Sequence, residues 1–324
     1  MMKSMMAAAI LALGGSAHAD EQSVLKELPK YTAKHKSLKG TLNAVGSDTL
    51  LNLMTFWSEE FRKLHPNVTF QIEGKGSSTA PAALTAGTAQ LGPMSREMKS
   101  KEIDEFEKKY GYKPTAIKVA LDALAVFVHR DNPIKGLSMD QVDAIFSKNR
   151  KLGHQKDVKT WGDIGVTGAL ASMPLSLYGR NTASGTYGYF KHTALGEGDF
   201  KDSVREQPGS AGVVQAVGRE KNAIGYSGMG YRTADVRLVP IAEAESTDYF
   251  EPNFANASQG KYPLARHLLI YVGRAPGKDL DPMVEEFVRF VQSREGQEVT
   301  LKDGFLPISK ADLYPVDGKV SLRK

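Results

Sequence analysis

The sequence predicts an α/β protein of two lobes, with the chain leaving the first lobe and later returning to it. Three observations carry that prediction. Runs with strand and helix periodicity alternate from Leu42 onwards, the pattern of strand–helix units built into sheets. Two long apolar runs, Ile117 to Val128 and His267 to Val272, lie well apart and read as strands passing between lobes. The length of 324 residues suits two units of ordinary domain size. On this reading residues 40–122 and 268–324 build lobe one and 123–267 build lobe two. A ligand would then lie in the cleft between them, at the carboxyl ends of the strands. Two consecutive independent domains are the alternative.

Each element follows from local pattern. After Gly46-Ser-Asp-Thr, apolar residues at Leu50, Leu53, Met54, Trp57, Phe61 and Leu64 have helical spacing, and Pro66-Asn67 ends the run. Trp57 and Phe61 are expected in the core. Val68, Phe70 and Ile72 alternate as a strand. Gly74-Lys-Gly-Ser-Ser is the next strand-to-helix turn, Pro81 to Leu84 opens a small helix, and Ala89-Gln-Leu-Gly is a short strand. The run Ile117 to Val128 reads as one strand, with Asp122 inside it as a buried, hydrogen-bonded carboxylate or a cleft-edge residue. Ser138-Met-Asp-Gln141 is a capping box opening a helix through Phe146. Lys148 to Trp161 is a polar loop, and Pro174 to Tyr178 a strand. Thr186 towards Leu195 and Val213 to Val217 are helical, Ala223 to Tyr226 a strand, and Val284, Phe287, Val288 and Val291 mark an amphipathic helix.

The ends read differently. Lys3 followed by the apolar run Met5 to Leu13 and by Ala17-His18-Ala19 fits a signal peptide over residues 1–19, cleaved after Ala19; a cytosolic helix is the alternative. No later stretch has the ~20 apolar residues of a membrane span. The chain has no cysteine, so it forms no disulfide and carries no lipid on an N-terminal Cys. These features predict an exported, periplasmic protein with no membrane insertion of the mature chain. The lysine-rich residues 20–39 read as a flexible N-terminal arm. The net charge is +5, but Lys and Arg are scattered among Asp and Glu and do not interleave with aromatics. That pattern argues against a nucleic-acid surface.

The chemistry sits in three strand-to-helix loops. Arg180-Asn-Thr-Ala-Ser184-Gly185-Thr186 brings one cation and several donors to a helix N-terminus, where free N–H groups and the helix dipole favour an anion. Gly46-Ser47-Asp48-Thr49 and Gly76-Ser77-Ser-Thr79 are the other two. Each alone is as well explained by a turn or an N-cap, but strand-to-helix junctions share one face of an open sheet. Catalytic sets are missing. Gly225-Tyr-Ser227-Gly-Met-Gly230 fails the G-x-S-x-G elbow at Met229, no Walker A occurs, and no HExxH appears. His65, His129, His154, His192 and His267 have no metal-ligand spacing. A binding protein without metal, cofactor or enzymatic activity is expected.

Four segments resemble a known family. Gly46-Ser-Asp-Thr-Leu, Gly76-Ser-Ser-Thr-Ala-Pro, Leu91-Gly-Pro-Met-Ser95-Arg96-Glu-Met98 and Arg180 to Thr186 are similar to the ligand loops of the periplasmic phosphate-binding protein of the phosphate ABC importer. Asn222 to Tyr231 and Tyr262-Pro-Leu-Ala-Arg266 resemble further family segments. The resemblance implies a periplasmic-binding-protein-like fold, each lobe a mixed sheet flanked by helices, joined by crossover strands and closing on one buried phosphate. It implies Arg180 as the cation on phosphate, with Ser184, Gly185 and Thr186 donating beside it and Ser77 from the second loop. Counting back from Trp57 without gaps puts Asp48 and Thr49 in the first loop, and Ser95 where the family usually has Asp. The carboxylate and the hydroxyl have changed places. Ser47 is a further hydroxyl of the first loop. Arg96 either reaches the ligand or pairs with a neighbour such as Glu97 or Asp104.

An ionised Asp48 is acceptor-only and can take the proton that hydrogen phosphate carries and sulfate lacks. Sulfate there would set acceptor against acceptor in a dry site. The competing role for Asp48 is N-cap of the helix after it. The resemblance further implies partnership with the permease and ATPase of an ABC importer, and a monomer as the working unit. Alternatives are a binder of sulfate, molybdate or tungstate, an exported phosphatase-like enzyme, and an adhesion or scaffold protein that reuses the fold.

Overall fold

In the computed structural model, which describes residues 21–315, a helical segment α1 over 21–27 is followed by β1 (Gly40–Val45), α2 (Leu51–Leu64), β2 (Val68–Glu73), α3 (Thr79–Ala86), β3 (Gly92–Met94), α4 (Ser100–Tyr110) and β4 (Thr115–Ala123). Next come β5 (Ala125–His129), β6 (Leu137–Ser138), α5 (Met139–Phe146), β7 (Ser176–Arg180), α6 (Gly185–Leu195), β8 (Arg205–Gln207), α7 (Gly209–Arg219), β9 (Ala223–Ser227), β10 (Val236–Leu238), β11 (Ile241–Ala242) and α8 (Phe254–Ser258). The chain closes with β12 (Ala265–Val272), α9 (Pro282–Val291) and α10 (Arg294–Lys302). The expected signal peptide, residues 1–19, lies outside the described residues.

The chain folds as two lobes, as expected. In the first, β1 and β2 pair in parallel, a bridge from Ala44 to Leu91 joins them to the β3 segment, and β12 runs antiparallel between β3 and β4. The second lobe has a five-stranded sheet of order β10-β5-β9-β7-β8, mixed parallel and antiparallel. One apolar cluster draws on Leu42, Trp57, Phe61, Ile117, Ile270 and Phe287, which are fully buried, as the helical stripe on α2 predicts. A separate cluster draws on Val126, Phe146, Trp161, Phe190 and Tyr226.

The run expected as one strand from Ile117 to Val128 is two. It breaks at Leu124, because β4 belongs to the sheet with β12 and β5 to the five-stranded sheet. Both faces of this stretch are buried, so its side chains do not alternate and the sequence shows no break. Ser138 does form the capping box: its N–H donates to Gln141 Oε1 at 3.0 Å.

The N-terminal arm is not loose. Leu25 and Leu28 are buried, Tyr31 Oη donates to Glu286 Oε1 at 2.8 Å, and the His35 N–H donates to Glu286 Oε2 at 2.8 Å. Lys34 Nζ lies 2.6 Å from Glu285, and Arg294 donates to the carbonyls of Leu25 and Lys26. Glu285 and Glu286 are buried on α9, and buried carboxylates need donors and counter-charges. The arm supplies them from about 250 positions away, a pairing that local composition cannot reveal.

Asp303, just after α10, is a buried carboxylate of another kind. Its Oδ2 has no hydrogen-bond partner among the described residues, and burial pushes its pKa from 3.8 up to about 7. The folded state therefore holds a proton that the unfolded state releases above its ordinary pKa. Stability falls as pH rises from about 4 to about 7 and levels off beyond. Asp303→Asn should flatten that slope and raise the melting temperature at pH above 7; a lower melting temperature there would rule the account out.

Candidate anion-binding site

Four loops meet between the lobes. Two begin helices without a side-chain cap: α2 starts after Leu50 and α3 after Ser78, and neither residue caps its helix through its side chain. The positive dipole ends of both helices therefore face an incoming anion, although at α3 the Thr79 and Ala80 N–H groups already donate to Gly76 O and Ser77 O, at 3.0 and 3.3 Å, and Pro81 has no N–H. Gly76, at φ +117°, holds the turn before α3, and a Cβ there would fall 2.4 Å from the Ala183 carbonyl of the facing loop. That contact is close because the Ser78 N–H donates to Ala183 O across the cleft at 3.2 Å.

The Arg180 loop is shaped locally. Asn181 Oδ1 accepts the N–H groups of Ala183 and Ser184, each at 3.2 Å, and Ser184 Oγ caps α6 by accepting the Thr186 N–H at 3.2 Å. Arg180 is the last residue of β7 and its side chain is fully buried. Its N–H donates to Tyr226 Oη at 3.3 Å, and Tyr226 is fixed by stacking on Phe190 with ring centroids 3.8 Å apart. Nη1 donates to Ser210 Oγ at 2.6 Å, and Nη2 pairs with Asp48 Oδ2 across the cleft. Nε is buried without a partner among the described residues.

The hydroxyls form one cluster. Ser47 Oγ donates to Ser95 Oγ at 3.1 Å, Ser77 and Ser95 hydroxyls lie 3.2 Å apart, and Thr49 Oγ1 lies 2.8 Å from Thr186 Oγ1. Ser184 Oγ donates to Asp48 Oδ1 at 3.4 Å. All these hydroxyl residues are buried. A buried array of hydroxyls beside the Arg180 guanidinium, with the Asp48 carboxylate as acceptor, suits an oxyanion that still carries a proton.

The structure thus brings together Ser47, Asp48, Thr49, Ser77, Ser95, Arg180, Ser184, Gly185 and Thr186. Gly185 is there because nothing larger fits: a Cβ would lie 2.2 Å from Ser77 Oγ and 2.6 Å from Ser95 Oγ. Asp48 is not the side-chain cap of α2; its carboxylate turns to Arg180 and Ser184 instead. Arg96 is not brought in. Its guanidinium makes a two-pronged pair with Glu102 at 2.8 and 2.7 Å and donates to Glu97 O, so it serves the start of α4. Its partner is Glu102 rather than Glu97 or Asp104 because Glu102 also turns back to accept the Lys99 N–H.

Four residues with no assigned role are part of the assembly. Ser210 holds Arg180, Tyr226 holds its main chain, and Tyr231 Oη donates to Thr49 O at 3.1 Å. The fourth is Arg266, paired with Asp122 at 2.8 Å, with further donors directed at the loops. The one sequence signal for it is a cation entering one apolar run while Asp122 sits in the other. Beside the cluster a cavity of about 700 Å³ is bordered by Arg96, Lys99, Lys118 and Lys191 as well as Arg266; Arg96, Lys118, Lys191 and Arg266 are paired with Glu102, Asp312, Asp199 and Asp122. Among the described residues no group of three metal-ligating side chains occurs, and no helix is long and apolar enough to cross a membrane.

The profile of the PBP superfamily domain matches residues 32–295. The phosphate-binding protein PstS of Pseudomonas aeruginosa is 56% identical over 308 residues, 95% of each chain. That of Staphylococcus haemolyticus is 29% identical, over 86% of this chain and 88% of the relative. Among solved structures, a putative phosphate ABC transporter substrate-binding protein from Clostridium perfringens, crystallised with bound phosphate, matches with a TM-score of 0.69. It covers 83% of this chain and all of its own length at 23% identity, a likeness of fold. A possible phosphate binding protein from Planctomyces limnophilus matches with a TM-score of 0.61 at 25% identity, over 85% of this chain and 95% of its own.

Proposed function

The chain belongs to the PBP superfamily and to its phosphate-binding proteins, and we propose from that premise that Asp48, Thr49, Ser77, Ser95, Arg180, Ser184, Gly185 and Thr186 hold one inorganic phosphate between the lobes. It is a solute-binding protein of an ABC-type phosphate importer. The observation that carries the site is the pair of buried Arg180 with half-buried Asp48, ringed by hydroxyls from both sides of the cleft. Arg180 attracts the anion, the hydroxyls and main-chain N–H groups complete its shell, and Asp48 reads its proton. Ligand favours the closed form because both halves of the shell exist only there.

The lobe boundaries at 122/123 and 267/268 belong to this reading. They are supported by two apolar clusters that divide near those residues and by the antiparallel pairing of β4 with β12 there. The mature chain works in the periplasm after cleavage behind Ala19, as a monomer that delivers phosphate to a membrane permease and its ATPase. Its role is to bind the ligand rather than transform it, a reading supported by its relatives being phosphate-binding proteins; Ser227, the one serine in a near-elbow motif, is buried and donates to Ser210 O at 3.4 Å.

Calorimetry of the full chain with phosphate, sulfate and molybdate across pH tests the reading. Phosphate should bind in the micromolar range or tighter, and sulfate and molybdate far more weakly; equal binding of sulfate would overturn it. Asp48→Asn should narrow the preference for phosphate over sulfate by about 10- to 100-fold, the cost of one mismatched buried polar contact of ~1–3 kcal/mol. An unchanged ratio would remove Asp48 from the selectivity role.

A further inference from the structure

Arg266 and Asp122 face each other in register on the two strands that join the lobes, β12 and β4, and both are buried. The Asp122 carboxylate is well satisfied: Oδ2 accepts from Arg266 Nε at 3.0 Å and Nη2 at 2.8 Å, and Oδ1 accepts the Met229 N–H at 3.2 Å. A pair that only stiffened the crossover would end there. This one continues, since Arg266 Nη1 donates to Ser95 O at 2.7 Å and Nη2 donates to Thr186 Oγ1 at 2.8 Å. One guanidinium thus holds a loop of each lobe at the same time.

The second bond has a consequence for hydroxyl direction. A hydroxyl has one proton, and when its oxygen accepts from a neighbour that cannot accept in return, the proton must point elsewhere. Main-chain N–H groups impose this on three of the hydroxyls: Thr49 N donates to Ser47 Oγ, Ser95 N to Ser77 Oγ and Thr186 N to Ser184 Oγ. Thr186 Oγ1 receives the same instruction from Arg266, whose guanidinium offers donors and no acceptor. Its proton is left for Thr49 Oγ1, 2.8 Å away, or for an anion. We infer that Arg266 is a positioning residue for anion capture, committing the Thr186 hydroxyl to donation while it fixes the Ser95 loop across the cleft. The inference rests on the phosphate-binding reading above.

A double-mutant cycle of Arg266→Met and Thr186→Val, read by calorimetry with inorganic phosphate on the full chain, tests it. Each single variant should weaken phosphate by about 10- to 100-fold. The pair should weaken it little more than the worse single change, because the two residues act through one hydroxyl. Arg266→Met strands the buried Asp122 carboxylate, so the same cycle is run in an Asp122→Asn background with thermal melting as the folding check. Losses that simply multiply in the folded variants would mean a structural crossover pair and overturn the inference alone. A wild-type chain that ignores phosphate would overturn the functional reading and this one together.

Discussion

Arg180→Met is expected to lower phosphate affinity by about a hundred- to several-thousand-fold in calorimetry. In the proposed site the guanidinium is the cation of the shell, and it pairs with Asp48, so the change does two kinds of damage. The anion loses charge-assisted hydrogen bonds, and the Asp48 carboxylate is left to repel it from within a dry site. Losing two hydrogen bonds between charged groups costs about 3–5 kcal/mol, and each ~1.4 kcal/mol is a factor of ten in affinity. The sign of the second effect can be isolated. Arg180→Met with Asp48→Asn should bind phosphate better than Arg180→Met alone, since the stranded charge is gone. Binding by Arg180→Met within tenfold of wild type would place the anion elsewhere.

Gly185→Ala should do comparable harm by another route, with an affinity loss of about two orders of magnitude or more. Its backbone is not in the left-handed region, so alanine folds there without strain. The obstacle is across the cleft: the new methyl would lie 2.2 Å from Ser77 Oγ and 2.8 Å from Ser77 Cβ. Turning the Ser77 hydroxyl aside does not remove the second contact and breaks its bond from the Ser95 N–H. The lobes must part instead, loosening the Thr49–Thr186 contact and the Ser78 N–H to Ala183 bond. Two hydrogen bonds to a charged ligand are worth about 3–6 kcal/mol together. The expected signature is a normal melting temperature without phosphate, a small phosphate-induced rise in it, and no compaction by small-angle scattering. Wild-type compaction on phosphate addition would show the methyl to be harmless.

Both predictions concern groups that the sequence brings into view by short-range rules. The Arg180 loop reads as an anion-friendly turn because strand, loop and helix are adjacent in the chain, and the structure realises it with Ser184 as a true cap. The same rules mislead where partners are distant. The lysine-rich arm reads as loose, yet two carboxylates on α9 hold it down. Arg96 reads as a possible ligand because it follows Ser95, but Glu102 claims it. A continuous strand is expected through Leu124, where the chain in fact changes sheets.

The sequence by itself determined the α/β alternation, the strand-to-helix junctions and the stock of groups that meet there, since all depend on the spacing and chemistry of near neighbours. Only the tertiary structure decided which of those groups oppose one another. Arg180 meets Asp48 across 132 positions and Arg266 meets Asp122 across 144. Such pairings carry no local periodicity; they are set by strand register and by the demand that buried charges be matched. For the same reason the direction of each hydroxyl proton could not be read from the chain. It depends on which donor occupies the far side of the oxygen, and at Thr186 that donor comes from the strand on which the lobes are joined.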